Sequence, residues 1–378
     1  MLMKDLFKSS MIFPVLLFTG QVFSQAVHQE PKTLPIGSEA PDFRLPGVDG
    51  KNYSLKDFSK AKVLVIIFSC NHCPTAQAYE DRIIALEKDY RSKGVAVVMI
   101  SPNSLQGLNL SELGYSDMGD SFEEMKMRAE DKGYEFPYLY DGDDQKTALA
   151  YGPVATPHCF VFDRDRLLQY AGRIDGSEKP GTGKAEDIRN AIDAVLAGKE
   201  VSNPVTKVFG CSIKWSWKDE YTKRLYKQWS ELPVTLEEID VQAIKDLIRN
   251  NSDKLRLINI WATWCGPCIA EFPDFVTIDR MYRGRAFEFI SISADKPEKK
   301  ADVLKFLKSR EASNKNYIFN KDDVYQMIEA VDPDWQGGIP YTLLVEPGGN
   351  IIYKKQDTIN PGKLKKLIVE NEYIGRYY

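Results

Sequence analysis

Twice along the chain a mostly apolar strand runs into a Cys-X-X-Cys pair, and this doubled order restricts the fold more than any other feature. Val63 to Phe68 (VLVIIF) feeds into Cys70-Asn71-His72-Cys73-Pro74, and Arg256 to Trp261 feeds into Trp264-Cys265-Gly266-Pro267-Cys268. Such a run marks a central strand buried on both faces. After the first pair, Tyr79, Ile83, Leu86 and Tyr90 recur at helical spacing, Gly94 caps the helix, and Val95 to Ile100 is a second buried strand. A longer excursion from Leu105 to Tyr151 holds a predicted helix over Phe122 to Lys132, with Asp120 and Ser121 as candidate caps. Thr156-Pro157 then leads into a strand over His158 to Phe162, a hairpin return over Leu167 to Arg173 and a closing helix over Ala185 to Leu196. Downstream, a helix bent at Pro273 is followed by a strand over Phe287 to Ser293 and a helix around Val303 to Leu307. Ile339-Pro340 then precedes a strand over Tyr341 to Val345, a return over Ile351 to Lys354 and a last helix over Lys363 to Val369. A divergent duplication of one fold accounts for this order better than a short-period repeat.

The spacing of each pair points to thiol chemistry. A thiol attacks only as its thiolate, and a Cys pair after a buried strand places its first member at the N-terminus of the next helix. There free backbone N–H groups and the helix dipole stabilise the anion. The second member, one turn on, can close a disulfide. Cys70, Cys73, Cys265 and Cys268 are therefore the predicted catalytic cysteines. A four-cysteine zinc cage is the competing reading, but zinc modules place their pairs much closer together and in loops. Of the other two cysteines, Cys159 reads as a core thiol, and Cys211 as either a third redox thiol or a quiet one.

With 378 residues, 43% of them hydrophobic, the chain is long enough for two domains with their own cores. The formal charge of −4, without a dominant basic stretch, gives no reason to expect a nucleic-acid partner. Partners are expected among protein disulfides or thiols and an upstream thiol reductant, with no cofactor and no metal required. Lys4 and Lys8, the apolar Met11 to Phe23 and the small residues of Ser24-Gln25-Ala26 read as a cleavable export signal. The apolar run is shorter than the roughly 20 residues that span a bilayer, so no stable membrane insertion is expected after cleavage. The predicted location is the periplasm or cell envelope, where thiols can stay oxidised. The expected organisation is a signal over 1–26, an α/β domain over 35–200, a Trp-containing connecting arm over 201–232 that packs on one domain, and a second α/β domain over 233–378.

Residues 259–268 (NIWATWCGPC), with Glu271 and Pro273 after them, closely resemble the motif of exported thioredoxin-like reductases of the TlpA and ResA type. That resemblance covers roughly Thr235 to Tyr378. It implies a thioredoxin-like fold and reduction of protein thiols, notably in cytochrome c maturation. Ordinary thioredoxin carries a buried Asp where this chain has Asn259, so Glu271 is the expected proton acceptor for Cys268. The Cys-Asn-His-Cys-Pro centre, the long insertion and Ala155-Thr156-Pro157-His158 resemble exported members of the AhpC/TSA (thiol-specific antioxidant) superfamily. The two resemblances together give an α/β chain of two thioredoxin-like domains, each with a central mixed sheet flanked by helices.

In that fold Pro157 and Pro340 are expected in cis, with Thr156, Pro157, Ile339, Pro340 and Trp264 binding a substrate chain. His72 is expected to stabilise a Cys70 thiolate and to make the first centre the more oxidising. Electrons would then pass from Cys265-Cys268 to Cys70-Cys73, with Cys211 as a relay. Two other functions are weighed for the first centre. One is a thiol-dependent peroxidase, although Ile66, Cys70 and Pro157 stand where a peroxiredoxin needs Pro, Thr and Arg. The other is a copper carrier using Cys70, Cys73 and His158.

Overall fold

The computed structural model describes residues 31–375. The expected export signal lies outside the described residues, among which no helix is long and apolar enough to cross a membrane.

A hairpin of β1 (Arg44–Pro46) and β2 (Asn52–Ser54) precedes the first repeat. That repeat runs β3 (Val63–Phe68), α1 (Pro74–Tyr90), β4 (Val95–Ser101), α2 (Phe122–Lys132), β5 (Tyr138–Tyr140), α3 (Lys146–Tyr151), β6 (His158–Phe162), β7 (Leu168–Gly172) and α4 (Glu186–Leu196). Helix α5 (Asp219–Ser230) follows in the connecting arm. The second repeat runs β8 (Glu237–Ile239), α6 (Val241–Arg249), β9 (Leu255–Trp261), α7 (Gly266–Tyr282), β10 (Phe287–Ser293) and α8 (Lys300–Ser309). It closes with β11 (Lys315–Phe319), α9 (Val324–Val331), β12 (Tyr341–Val345), β13 (Ile351–Gln356) and α10 (Pro361–Glu370).

The two sheets share a topology. The first has the order β5-β4-β3-β6-β7 and the second β13-β12-β9-β10-β11-β8. In each, the strand before the cysteine pair is central, parallel to the next strand and antiparallel to the strand after the proline. Every residue of β3 and of β9 is buried, as apolar runs covered by helices on both faces require. Val63, Val65 and Ile67 face one core with Tyr79, Ile83 and Leu86 of α1, while Leu64, Ile66 and Phe68 face the other. Both Thr156–Pro157 and Ile339–Pro340 are cis peptides.

The arm packs on both repeats rather than on one. Trp215 is buried in the first repeat's core and stacks on Trp217, while Trp229 lies under the Arg280 guanidinium of α7. The repeats also share a core, in which Leu108 and Leu113 join Phe275, Ile278 and Met281 of α7. The Tyr282 hydroxyl donates to the Ser116 carbonyl (2.7 Å), and the Arg285 guanidinium covers the Tyr115 ring.

Candidate redox centres

At the second centre the sequence places the helix start as expected. Cys265 is the N-cap of α7, with Pro267 at the second helical position, where a missing N–H does no harm. The Cys268 N–H points at the Cys265 sulfur (3.3 Å), and the two cysteines form a disulfide of 2.01 Å. The Ile339 carbonyl oxygen, just before the cis proline, lies 3.8 Å from the same sulfur. Trp264 is 69% exposed beside it. Glu271 lies below on the same helix, buried, with Oε2 accepting the Ile359 N–H (2.8 Å) and Oε1 without a hydrogen-bond partner. Burial pushes its carboxyl up to about 7, only partly offset by the Ile359 N–H. Asn259, in the strand position expected of an acid, instead donates to the Thr342 hydroxyl (3.1 Å).

The first centre differs from the expectation in which cysteine caps the helix. Pro74 occupies the first helical position, so α1 begins after Cys73, and Cys73 rather than Cys70 is the N-cap. The Cys73 sulfur receives the N–H groups of Ala76 and Cys211, both at 3.4 Å. Burial alone would raise its pKa. The hydrogen bonds from the Cys211 and Cys70 thiols, the His72 charge and the Ala76 N–H outweigh burial and hold it well below the ordinary thiol value. One contact argues the other way. The Thr156 carbonyl oxygen is 3.3 Å from the sulfur, a position suited to a thiol donor. Against that one acceptor stand four donors and a cation, so the anionic state is the better supported. Cys70 moves in the opposite direction, because burial, its hydrogen bond to Cys73 and the Asp120 charge all raise it.

The His72 charge is among the causes that hold Cys73, not Cys70, low. His72 Nδ1 lies 2.6 Å from Asp120 Oδ2, and both side chains are buried. Burial opposes the imidazolium, but the Asp120 charge and hydrogen bond prevail and raise its pKa. Among the described residues His72 Nε2 finds no hydrogen-bond partner. Asp120 was read from the sequence only as a possible helix cap. Ser121 takes that role, accepting the Glu124 N–H (3.2 Å), which frees Asp120 to organise the cysteine loop. Its Oδ1 accepts the N–H groups of Asn71 and His72, and its Oδ2 also accepts from Asn103 Nδ2 (2.7 Å).

The copper set expected of Cys70, Cys73 and His158 does not assemble. His158 stands at the head of β6, where its Nδ1 accepts the Val154 N–H and its ring packs on Phe160. Burial pushes its pKa down to about 3. Among the described residues, the donors that converge on Cys70 within 4.8 Å are His72 and Asp120. Cys159 sits in the first core, fully buried. The remaining residues assigned from the sequence do gather. Thr156 Oγ1 is 3.2 Å from the Cys70 sulfur, and Thr156 pairs by its backbone with Cys211.

Two duplicated sheets, each with a helix-capping cysteine beside a cis proline, define a tandem of thioredoxin-like domains. Residues 36–171 match the AhpC/TSA family and residues 246–368 the Redoxin family, so the chain carries two domains of redoxin type. Thiol-disulfide oxidoreductase ResA of Bacillus subtilis is 28% identical over 95 residues, which are 25% of this chain and 49% of that protein. The bcp protein of Helicobacter pylori, named as a peroxiredoxin, is 36% identical over 73 residues, 19% of this chain and 48% of that one. The chain spans about half the length of these curated relatives. An uncharacterized conserved protein of Geobacillus kaustophilus is 40% identical in its solved structure, covering 50% of this chain and 95% of that one with a TM-score of 0.43.

Proposed function

We propose that this protein is an exported thiol–disulfide oxidoreductase that exchanges electrons with protein and small-thiol disulfides through two centres, Cys265–Cys268 and the Cys70–Cys73 pair. The observation that carries the reading is the second centre. There a helix-capping cysteine lies beside the Ile339 carbonyl and an exposed Trp264, with a buried carboxyl of raised pKa on the same helix. Reduced Cys265 attacks a substrate disulfide as its thiolate and releases one substrate thiolate. Cys268 gives its proton to Glu271 and attacks the Cys265 sulfur. This releases the second substrate thiolate and leaves the Cys265–Cys268 disulfide for an upstream thiol reductant. Ile339 and Pro340 would present backbone to an extended substrate chain, and Trp264 would offer it an apolar surface. Export rests on the basic and apolar N-terminal sequence. The test is turnover of insulin disulfides by the reduced protein. Cys265→Ser should abolish it, and a variant that keeps the wild-type rate would overturn the reading.

Geometry favours separate partners over a direct relay between the centres. The first domain reaches α7 as near as Phe275, 10 residues from Cys265, a separation of about 15 Å along the helix at 1.5 Å per residue. A second reading, peroxidase chemistry at the first centre, is favoured by the buried, helix-capping Cys73 thiolate and the peroxiredoxin relative. Hydroperoxide consumption that vanishes in Cys73→Ser would support it. The residues at the peroxiredoxin Pro, Thr and Arg positions (Ile66, Cys70 and Pro157) argue for a low rate.

A further inference from the structure

The strand edge at Thr156, which in the proposed activity would take a substrate chain, already holds one. Cys211 pairs with Thr156 in antiparallel register, and the Thr156 N–H donates to the Cys211 carbonyl (2.9 Å). The pairing is close enough to require Gly210. That residue has φ +141°, and a Cβ there would stand 2.0 Å from the Thr156 carbonyl oxygen. The segment is fixed beyond this contact too. The Lys214 N–H donates to Asn103 Oδ1 (2.9 Å), and Asn103 is the residue whose other end holds Asp120 beneath the cysteine loop. Gln145 clamps the next residues by accepting the Ser216 N–H (2.7 Å) and donating to the Lys214 carbonyl (3.0 Å). Ile213 and Trp215 are buried in the domain core.

This chain segment brings a sulfur to the reactive one. The Cys211 N–H points at the Cys73 sulfur, and the Cys211 thiol hydrogen-bonds to it. We propose that Cys211 is the resolving thiol of the first centre, forming a disulfide with Cys73 while its own segment fills the substrate edge. The inference rests on the proposed thiol–disulfide activity of the first centre and replaces Cys70 with Cys211 as the partner that closes the disulfide with Cys73.

The chemistry balances with a small disulfide RSSR as oxidant. The Cys73 thiolate attacks one sulfur of RSSR, forming the Cys73–SR bond, breaking the R–S–S–R bond and expelling RS⁻. Cys211 passes its proton to that RS⁻ and attacks the Cys73 sulfur, expelling the second RS⁻. The two cysteines are oxidised to the Cys73–Cys211 disulfide, and RSSR is reduced to one RSH and one RS⁻. Size selection follows from the geometry. Cys73 is fully buried and its strand edge is occupied, so an extended polypeptide finds no free edge to pair with, and the oxidant proposed is a low-molecular-weight disulfide. In the reverse direction a dithiol should attack at Cys211. It is the only part-exposed sulfur of the three, and the low-pKa Cys73 is the better leaving group.

The test is a disulfide map of the full-length protein, fully reduced, exposed to oxidised glutathione, quenched in acid and alkylated. Cys70→Ser should still yield the Cys73–Cys211 peptide, as should Cys70→Ala if the serine variant is poorly folded. Cys211→Ser should lose that peptide and accumulate Cys73–glutathione when combined with Cys70→Ser. If Cys211 is recovered alkylated while Cys73 of the Cys70→Ser protein carries glutathione, the proposal is overturned. It is equally overturned if the wild type yields Cys70–Cys73 alone. Insulin turnover, measured on the same samples, reports on the second centre separately.

Discussion

Glu271, His72 and Asp120 are buried titratable groups whose contributions to stability depend on pH in different ways. The Glu271 carboxyl is raised by burial to about 7, so folding is favoured while it is protonated. That contribution is fully present below the ordinary glutamate range and is lost as pH rises through about 7. Glu271→Gln should therefore narrow the stability difference between pH 5 and pH 8 in denaturant titrations. In the proposed mechanism the same change removes the proton acceptor for Cys268. Insulin reduction should slow by about 100-fold, and the pH–rate inflection near 7 should disappear. An unchanged pH–rate profile would make Glu271 a structural acid only. For the pair, Asp120 is lowered, so its contribution is lost in acid. His72 is raised, so its contribution is lost as pH climbs through its folded value. Asp120→Asn strips a buried cation of its partner and should cost about 3 kcal/mol. It should also move the pH midpoint for alkylation of Cys73 upward, and a midpoint unmoved by the substitution would separate His72 from the thiolate.

Long apolar elements were legible because one force shapes them. β3, β6, β10 and β12 coincide with their apolar runs, and α2 coincides with its amphipathic stretch between Ser121 and Gly133. The three-residue strands β5 and β8 and the short helices α3, α6 and α9 were not read. Pairing with neighbouring strands, not local pattern, makes three residues into an edge strand. The helix cap of the first centre was misplaced although its signal is local. Pro74 follows the second cysteine, whereas Pro267 precedes it, and a proline near the helix start shifts the cap. The arm segment was unreadable for a different reason, since its role depends on a pairing with Thr156 far back in the chain. Gly210→Ala should dislodge this segment, because neither the φ angle nor the space admits a Cβ. Alkylation of Cys73 at fixed pH should then accelerate, on the order of tenfold or more if the edge opens by 1.4 kcal/mol or more, by the usual conversion of about 1.4 kcal/mol per factor of ten. No acceleration would mean that the segment does not guard the thiol.

The tandem behaves as one body to the extent that Leu108 and Leu113 are buried against α7. Leu113→Ala removes a buried side chain from that shared core at a cost of about 2–4 kcal/mol. Calorimetry should then resolve two transitions, with insulin turnover by the second domain preserved below the first. A single transition displaced as a whole would show that the domains cannot unfold separately. Helix α7 carries sulfur at its start and meets the first domain along its second half, from Phe275 to Tyr282. Thiol exchange has no reach beyond sulfur-to-sulfur contact, so on the proposed reading the first half of that helix would act as an insulator between two electrodes. Each couple would settle with its own partners without shorting through its neighbour, and one polypeptide would hold an oxidised and a reduced sulfur pair at the same moment.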